Sequence, residues 1–339
     1  MIESKQKSMQ NSVHNSTQNP DSSATSPLQK LKPFIRPAIA LVLLFFLFRS
    51  GLLKLDELKS VLKNSRILFL GFILLLIQFL LFTWRWQIII SKAKPIGLWL
   101  AMKMQMIGQF FNLFVPGGVG GDFVKALELS KSEGISKHVT MTSVLLDRIL
   151  GLYCMIIFSF LFLLIEFKNI DPTYFYISAL LLGVSSIGLF FSRRILNWLV
   201  SHFSTKEHQL LKKITDFLNN ISNGLAQVVT PLNFTLITVI CFIAQILAVS
   251  FLYLVTVETT GQSPPFLVYF PLACFAFMIS SLPITPGGIG VGQAAFYFIF
   301  LSLNKEIANS VVIGVSLVQL FTFLSGLPGA YFFTRSKKS

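Results

Sequence analysis

Charge is scarce in this chain, and acidic charge is scarcest. Of 339 residues only 12% are charged, with 14 Asp or Glu against 28 Lys or Arg. Soluble domains carry about a quarter charged residues, so a water-facing globular surface is excluded. Cysteine is nearly absent as well. Cys154, Cys241 and Cys274 lie in apolar stretches at no metal-ligand spacing. That excludes a disulfide scaffold or a zinc site and makes them small hydrophobes facing the core or the lipid. The four histidines, His14, His138, His202 and His208, have no ligand partner at useful spacing. No nucleophile–base pairing, nucleotide phosphate loop or acid pair for glycosyl transfer is present. Catalytic residues, a metal and a cofactor are therefore not expected, and the chain is not expected to be an enzyme.

What the chain has in abundance is apolar side chains: 53% of residues are hydrophobic, 35 of them Phe, and the mean hydropathy is +0.71. At about 20 residues per bilayer crossing, that is material for roughly six to eight spans. The expected fold is all-α and polytopic. The net charge of +14 is spread in short Lys/Arg clusters between apolar runs. Such clusters suit loops held at anionic headgroups by the positive-inside bias. They form no continuous basic face, so nucleic acid is not an expected partner.

Residues 1–30 are rich in Ser, Asn, Gln and Thr and are expected to be a disordered polar tail. A membrane domain is expected over 31–335. Its first apolar run, Pro37–Phe48, is followed by Arg49-Ser50-Gly51 with no small-x-small cleavage site, so it reads as a span with Arg49 snorkelling to an interface. Further runs cover about Ile67–Trp84, Val144–Phe167, Tyr174–Phe191, Leu232–Val257 and Ile307–Phe333. Leu210, Leu211, Ile214, Leu218, Ile221 and Leu225 recur at helical spacing, which predicts an amphipathic surface helix over about 206–229.

Two other runs, Gly97–Val115 and Phe266–Leu282, each lead into a Gly-rich string. Pro116-Gly117-Gly118-Val119-Gly120-Gly121 and Pro286-Gly287-Gly288-Ile289-Gly290-Val291 repeat one pattern about 170 residues apart. Gly and Pro at this density break a helix. At membrane depth freed backbone groups are tolerated only inside protein or along a wet cavity. Matching breaks in two halves point to the binding site of an inverted-repeat transporter. The reading is six full spans plus two re-entrant hairpins, with halves at about 34–167 and 174–333.

Charge bias tests this topology. Arg335, Lys337 and Lys338 place the C-terminus inside; loop 258–265 lacks Lys and Arg and reads as outside; 192–213 reads as inside. Three spans then separate the two tips, so the hairpins enter from opposite faces. Loop 49–66 conflicts, since it carries Arg49, Lys54, Lys59, Lys63 and Arg66 yet would lie outside. Its Leu52, Leu55, Leu58 and Leu62 spacing suggests an interfacial helix.

The segment Gly108-Gln109-Phe110-Phe111-Asn112-Leu113-Phe114-Val115-Pro116-Gly117-Gly118-Val119-Gly120-Gly121-Asp122-Phe123-Val124-Lys125 resembles the signature of the lysylphosphatidylglycerol synthase transmembrane-region family, flippase-like integral membrane proteins. Trp84-Arg85-Trp86, Leu146-Asp147-Arg148 and Pro283 to Gly292 add to the resemblance, which runs from about Pro37 to Phe333. Two departures stand out. Lys125 occupies a position where the family often has Arg, and Gln293 one where it often has Glu. The resemblance implies translocation of a phospholipid or lipid-linked headgroup between leaflets of the cell membrane. It does not imply aminoacyl transfer, which belongs to an additional soluble domain, whereas this chain stops six residues past its last apolar stretch. Anionic phospholipids are the expected partners, with a soluble lipid-modifying enzyme as a second candidate. An integral membrane enzyme acting on lipid-linked substrates, or an accessory protein recruiting such an enzyme, are the alternatives.

Candidate headgroup-binding residues follow from placement. Asp122 and Lys125, at i and i+3 beyond the first tip, share a helix face. They read equally as a functional pair and as an N-cap with its counter-ion. Arg85, between Trp84 and Trp86, is either an interfacial anchor or a phosphate clamp. Asp147 and Arg148 are adjacent and so point to different faces, and Arg148 is the better headgroup ligand. Gln109, Asn112, Thr285 and Gln293 flank the tips and are candidates to hydrogen-bond the broken backbone or a ligand.

Overall fold

Unbroken runs of Leu, Ile and Phe can satisfy their backbone in hydrocarbon only by winding into helices. The computed structural model describes residues 61, 63–114, 120–203, 209–282 and 284–336, and among them shows ten α-helices and no strand. These are α1 (Ser65–Ile90), α2 (Leu98–Phe114), α3 (Gly120–Glu133), α4 (Lys137–Ile165) and α5 (Pro172–Phe203). They continue as α6 (Gln209–Val228), α7 (Pro231–Thr260), α8 (Phe266–Ser280), α9 (Val291–Phe300) and α10 (Lys305–Ser336). A single 3-10 turn, Pro286–Gly288, separates α8 from α9.

Five apolar stretches are long enough to cross a bilayer: α1, α4, residues Pro172–Phe191 of α5, α7, and Lys305–Thr334 of α10. At about 1.5 Å per residue, each reaches the roughly 30 Å of a hydrocarbon core. The chain is a polytopic helical membrane protein. The expected span Pro37–Phe48, most of loop 49–66 and the tip residues Pro116, Gly117 and Gly118 lie outside the described residues. Helix α5 runs on to Phe203, past the expected end at Phe191. No Gly or Pro interrupts 192–203, so rising polarity marks the end of the apolar stretch and not of the helix.

Local chemistry sets the ends. Asn64 Oδ1 accepts the Ile67 N–H at 3.3 Å in front of α1. Thr230 caps α7, followed by Pro231 at its first position, and Gly261 closes that helix in the left-handed region with φ 66°.

The larger core brings together α4, α7, α8, α9 and α10 around Phe251, Tyr269, Phe270, Phe296 and Phe300. A smaller one packs Trp86, Ile90, Met104, Ile107, Leu129 and Val144 from α1 to α4. Phe69, Leu180, Val184, Phe190 and Leu232 stay exposed, as side chains facing lipid should.

Hydrogen bonds at the helix ends place the two hairpins. Lys94, just after α1, donates to the Glu133 carbonyl at 2.6 Å and meets its carboxylate at 3.2 Å. The hairpin α2–α3 therefore opens at the C-terminal end of α1. Asn64 donates to Glu258 at 2.5 Å, setting the start of α1 beside the end of α7. There Gln262 donates to Glu306 at 2.6 Å and Asn304 donates to Gln262 at 2.7 Å. The hairpin α8–α9 thus opens at the opposite end of the antiparallel α1–α7 pair.

Candidate functional site

The first hairpin closes on small residues and one amide. Asn112 Oδ1 accepts the Gly121 N–H at 3.1 Å, satisfying an otherwise orphan donor at the start of α3. A Cβ on Gly121 would collide with the Gly108 carbonyl and lie 2.6 Å from the Asn112 nitrogen. Only glycine lets α2 and α3 approach this closely.

That approach sets Asp122 and Lys125 against α1, α2 and α4. Lys125 is 1% exposed. Its ammonium lies 3.7 Å from Asp122 Oδ1, donates to Gln105 Oε1 at 2.9 Å, and sits 4.1 Å over the Trp86 ring. Trp86 in turn donates its indole N–H to Ser143 Oγ at 3.3 Å. Arg148 of α4 donates from Nε to Asp122 Oδ2 at 2.5 Å.

Arg85 is engaged elsewhere. It donates Nε to Asp147 Oδ1 at 2.7 Å and Nη2 to Asp147 Oδ2 at 3.0 Å, a bidentate fork. Its Nη1 donates to Cys241 Sγ at 3.3 Å, and Phe82 lies 4.8 Å beneath the guanidinium. A Cβ on Gly151 would stand 2.9 Å from Nη1, so the glycine on α4 makes room for the fork. Asp147 and Arg148 do diverge as adjacent helical residues must: one holds Arg85, the other Asp122.

Five charged side chains from three helices thus form one cluster, Arg85, Lys125 and Arg148 facing Asp122 and Asp147. Their accessibility differs sharply: the side chains of Arg85 and Lys125 are 9% and 2% exposed, that of Arg148 28%.

The second tip is neutral. Gly287, Gly288 and Gly290 take φ of 60°, 70° and 84° after Pro286. Gln293 Oε1 accepts the Gly290 N–H at 2.7 Å, and its Nε2 donates to Gln319 Oε1 at 2.6 Å and Ser316 Oγ at 3.3 Å. Thr285 is buried, and its hydroxyl has no hydrogen-bond partner among the described residues. Gln109 of α2 accepts from Ser325 of α10 at 2.7 Å.

Among the sequence candidates, Arg85, Asp122, Lys125 and Arg148 gather at the first hairpin, with Gln109 and Asn112 on its α2 arm, while Thr285 and Gln293 stand at the second. Sequence reasoning missed Asp147 as the partner of Arg85, and the parts played by Trp86, Gln105, Cys241 and Gln319. An Arg and an Asp in separate apolar runs were a signal that they pair. Among the described residues, no three His, Cys, Asp or Glu side chains come together as a metal site.

The chain matches the family described as the lysylphosphatidylglycerol synthase TM region over residues 34–326, and it belongs to that family. It is similar to a protein named UPF0104 membrane protein of Methanothermobacter thermautotrophicus, 24% identical over 311 residues, covering 82% of this chain and 86% of that one. No solved structure matches.

Proposed function

As a member of this family, the chain is, we propose, a flippase-like transporter that moves a phosphate-bearing lipid headgroup between leaflets of the cell membrane while the acyl chains stay in the bilayer. The observation that carries the reading is the accessibility of Arg148. Three cations face two carboxylates inside a membrane-embedded bundle, and the most exposed of the three is also the one hydrogen-bonded to Asp122. A phosphate reaching Arg148 exchanges a carboxylate partner for a phosphate partner, both suited to guanidinium. Arg85 and Lys125 supply field and scaffold from behind, and Asp122 orients Arg148. With both carboxylates of the cluster holding cations, neither is placed as a general acid or base, which supports transport over catalysis.

Inverted repeats are part of this reading, and helix partnerships support them. The α2–α3, α3–α4 and α2–α10 contacts have counterparts in α8–α9, α9–α10 and α8–α4, and α1 packs on α7. In this scheme the C-terminus and an α6 surface helix are cytoplasmic, anionic phospholipids are the partners, and the hairpin tips meet the headgroup near mid-membrane.

The test is leaflet-resolved transfer of fluorescent phospholipids in liposomes holding the purified protein. Wild type is expected to accelerate transfer and Arg148→Ala to lose most of it. No acceleration by wild type for any phospholipid rejects the proposal.

A further inference from the structure

A second polar site lies beside the charged cluster, near the middle of α1 and α7. A cavity of about 230 Å³ opens among α1, α2, α4, α7, α8 and α10. Much of its wall is apolar, including Phe72, Leu76 and Phe82, but its polar lining among the described residues consists of Gln78, Gln109, Gln245, Thr322 and Ser325, with no charged side chain among them. The ring of Phe82 has the Arg85 guanidinium stacked on it, which walls the ionic cluster off from the cavity.

Gln78 and Gln245 occupy corresponding places on the paired helices α1 and α7. Gln78 is followed by Phe79-Leu80 and then Thr83; Gln245 is followed by Ile246-Leu247 and then Ser250. Their separation nearly matches that of the two Gly-rich tips, and each stands near the middle of its helix. Gln245 is 3% exposed, and among the described residues its Nε2 meets no strong hydrogen-bond acceptor, only the weakly accepting Cys274 sulfur. A buried amide donor whose one neighbour is a thiol sulfur is poorly satisfied, and that costs stability. A donor of this kind lining a cavity marks a place where a ligand completes the network.

We propose that this cavity binds the uncharged, hydroxyl-rich part of a lipid headgroup, such as a sugar. Carboxamides present donors and acceptors together and so pair with hydroxyls, which are both at once. With no cation among the described residues of the wall, a bare phosphate would enter unneutralised, at high cost in a low-dielectric site. The volume holds several waters at about 30 Å³ each, enough for one small polyol and not for a whole lipid. Phe72 and Leu76, exposed on the lipid-facing surface, give the attached chains a way out to the bilayer. This site stands whether or not Arg148 binds phosphate.

The test measures the apparent Tm of the purified protein in detergent with added monoglucosyl dioleoylglycerol, dioleoylglycerol, dioleoylphosphatidylserine or free glucose. The glucosyl lipid is expected to raise the Tm by several degrees through preferential binding to the folded state, and the other three by much less. Gln245→Leu without ligand should keep or raise its own Tm, since it removes a poorly satisfied donor, and should lose the response to glucosyl lipid. Gln78→Leu should weaken the response, and Arg148→Ala should keep it. A full response in Gln245→Leu overturns the proposal, as does equal stabilisation by dioleoylglycerol or by free glucose. Loss in Arg148→Ala with retention in Gln245→Leu would move the ligand to the charged cluster.

Discussion

Arg85 grips Asp147 through two parallel hydrogen bonds of 2.7 and 3.0 Å, and the next residue along α4, Arg148, turns away to hold Asp122. One dipeptide thereby ties α4 to both α1 and α3. In hydrocarbon neither an unpaired Arg nor an unpaired Asp is tolerated cheaply, so each pair acts as a rivet between helices.

The Arg85 pair is a stability element. Arg85→Ala leaves the Asp147 carboxylate buried without its partner and is expected to cost about 3–5 kcal/mol. Arg85→Lys keeps the charge but loses the fork, and should fall between that variant and wild type. Replacing both residues with Leu should recover most of the loss, because an apolar pair leaves no charge to solvate. Unfolding of the purified protein in detergent measures all three. A double variant as unstable as Arg85→Ala would show that the pair does more than neutralise itself.

Much of this architecture was legible in the sequence, for identifiable reasons. Apolar runs bounded by Lys, Arg, Pro and Gly located α1, α4, α7 and α10 because hydrocarbon permits so few backbone conformations. The repeated Pro-Gly-Gly string located the break between α8 and α9, since consecutive positive φ angles there suit little else. Partner choice was not legible. Nothing in Trp84-Arg85-Trp86 says that Asp147 and Cys241 will meet Arg85, because that depends on which helices pack together. Lys125 looked like a tip residue able to greet a ligand, but its four methylenes carry the ammonium under Trp86 and out of reach. The Gln78–Gln245 correspondence was readable in principle, yet an amide in an apolar run carries no signal until its neighbours are known.

The cluster around Asp122 separates structure from transport. Asp122→Asn leaves Lys125 and Arg148 facing a neutral amide, and Lys125→Met keeps the aliphatic packing on Trp86 while removing charge. Each should lower both stability and lipid transfer, the latter by roughly 10–100-fold if a charge-assisted bond of about 1.5–3 kcal/mol is lost. The double variant Asp122→Asn with Lys125→Gln should regain part of the stability, because Lys125 loses its charge together with its partner while Arg148 still faces a neutral amide. Transfer measured on that double variant decides the role. Continued loss places the pair in headgroup handling, whereas recovery reassigns it to structure and leaves Arg148 as the ligand.

The glycines predict their own ranking. Gly288 has φ 70°, and a Cβ there would meet the Ser280 carbonyl at 2.7 Å. Gly288→Ala should therefore cost about 1–3 kcal/mol in backbone strain alone, and Gly121→Ala should splay α2 from α3. Gly183 and Gly188 of α5 face open space, so Ala at either should gain up to about 1 kcal/mol of helix stability. Unfolding midpoints and transfer rates of the four variants check this together. Equal tolerance at all four positions would deny the tips their close packing.

Topology is the last point at risk, since the transport proposal needs hairpins that enter from opposite faces. The loop after α7 has no Lys or Arg, and Ser263 in it is exposed; the loop after α1 carries Lys92 and Lys94, and Lys92 is exposed. Positive-inside bias puts the second loop in the cytoplasm and the first outside. The native Cys154, Cys241 and Cys274 are buried, so background thiol labelling should be low. In intact cells, Ser263→Cys is expected to react with an impermeant maleimide, and Lys92→Cys to react only after permeabilisation. The reverse pattern would flip the whole protein while keeping the hairpins opposed. Labelling of both from outside would instead put the two open ends on one face, and alternating access through two opposed tips would have no geometry to work with.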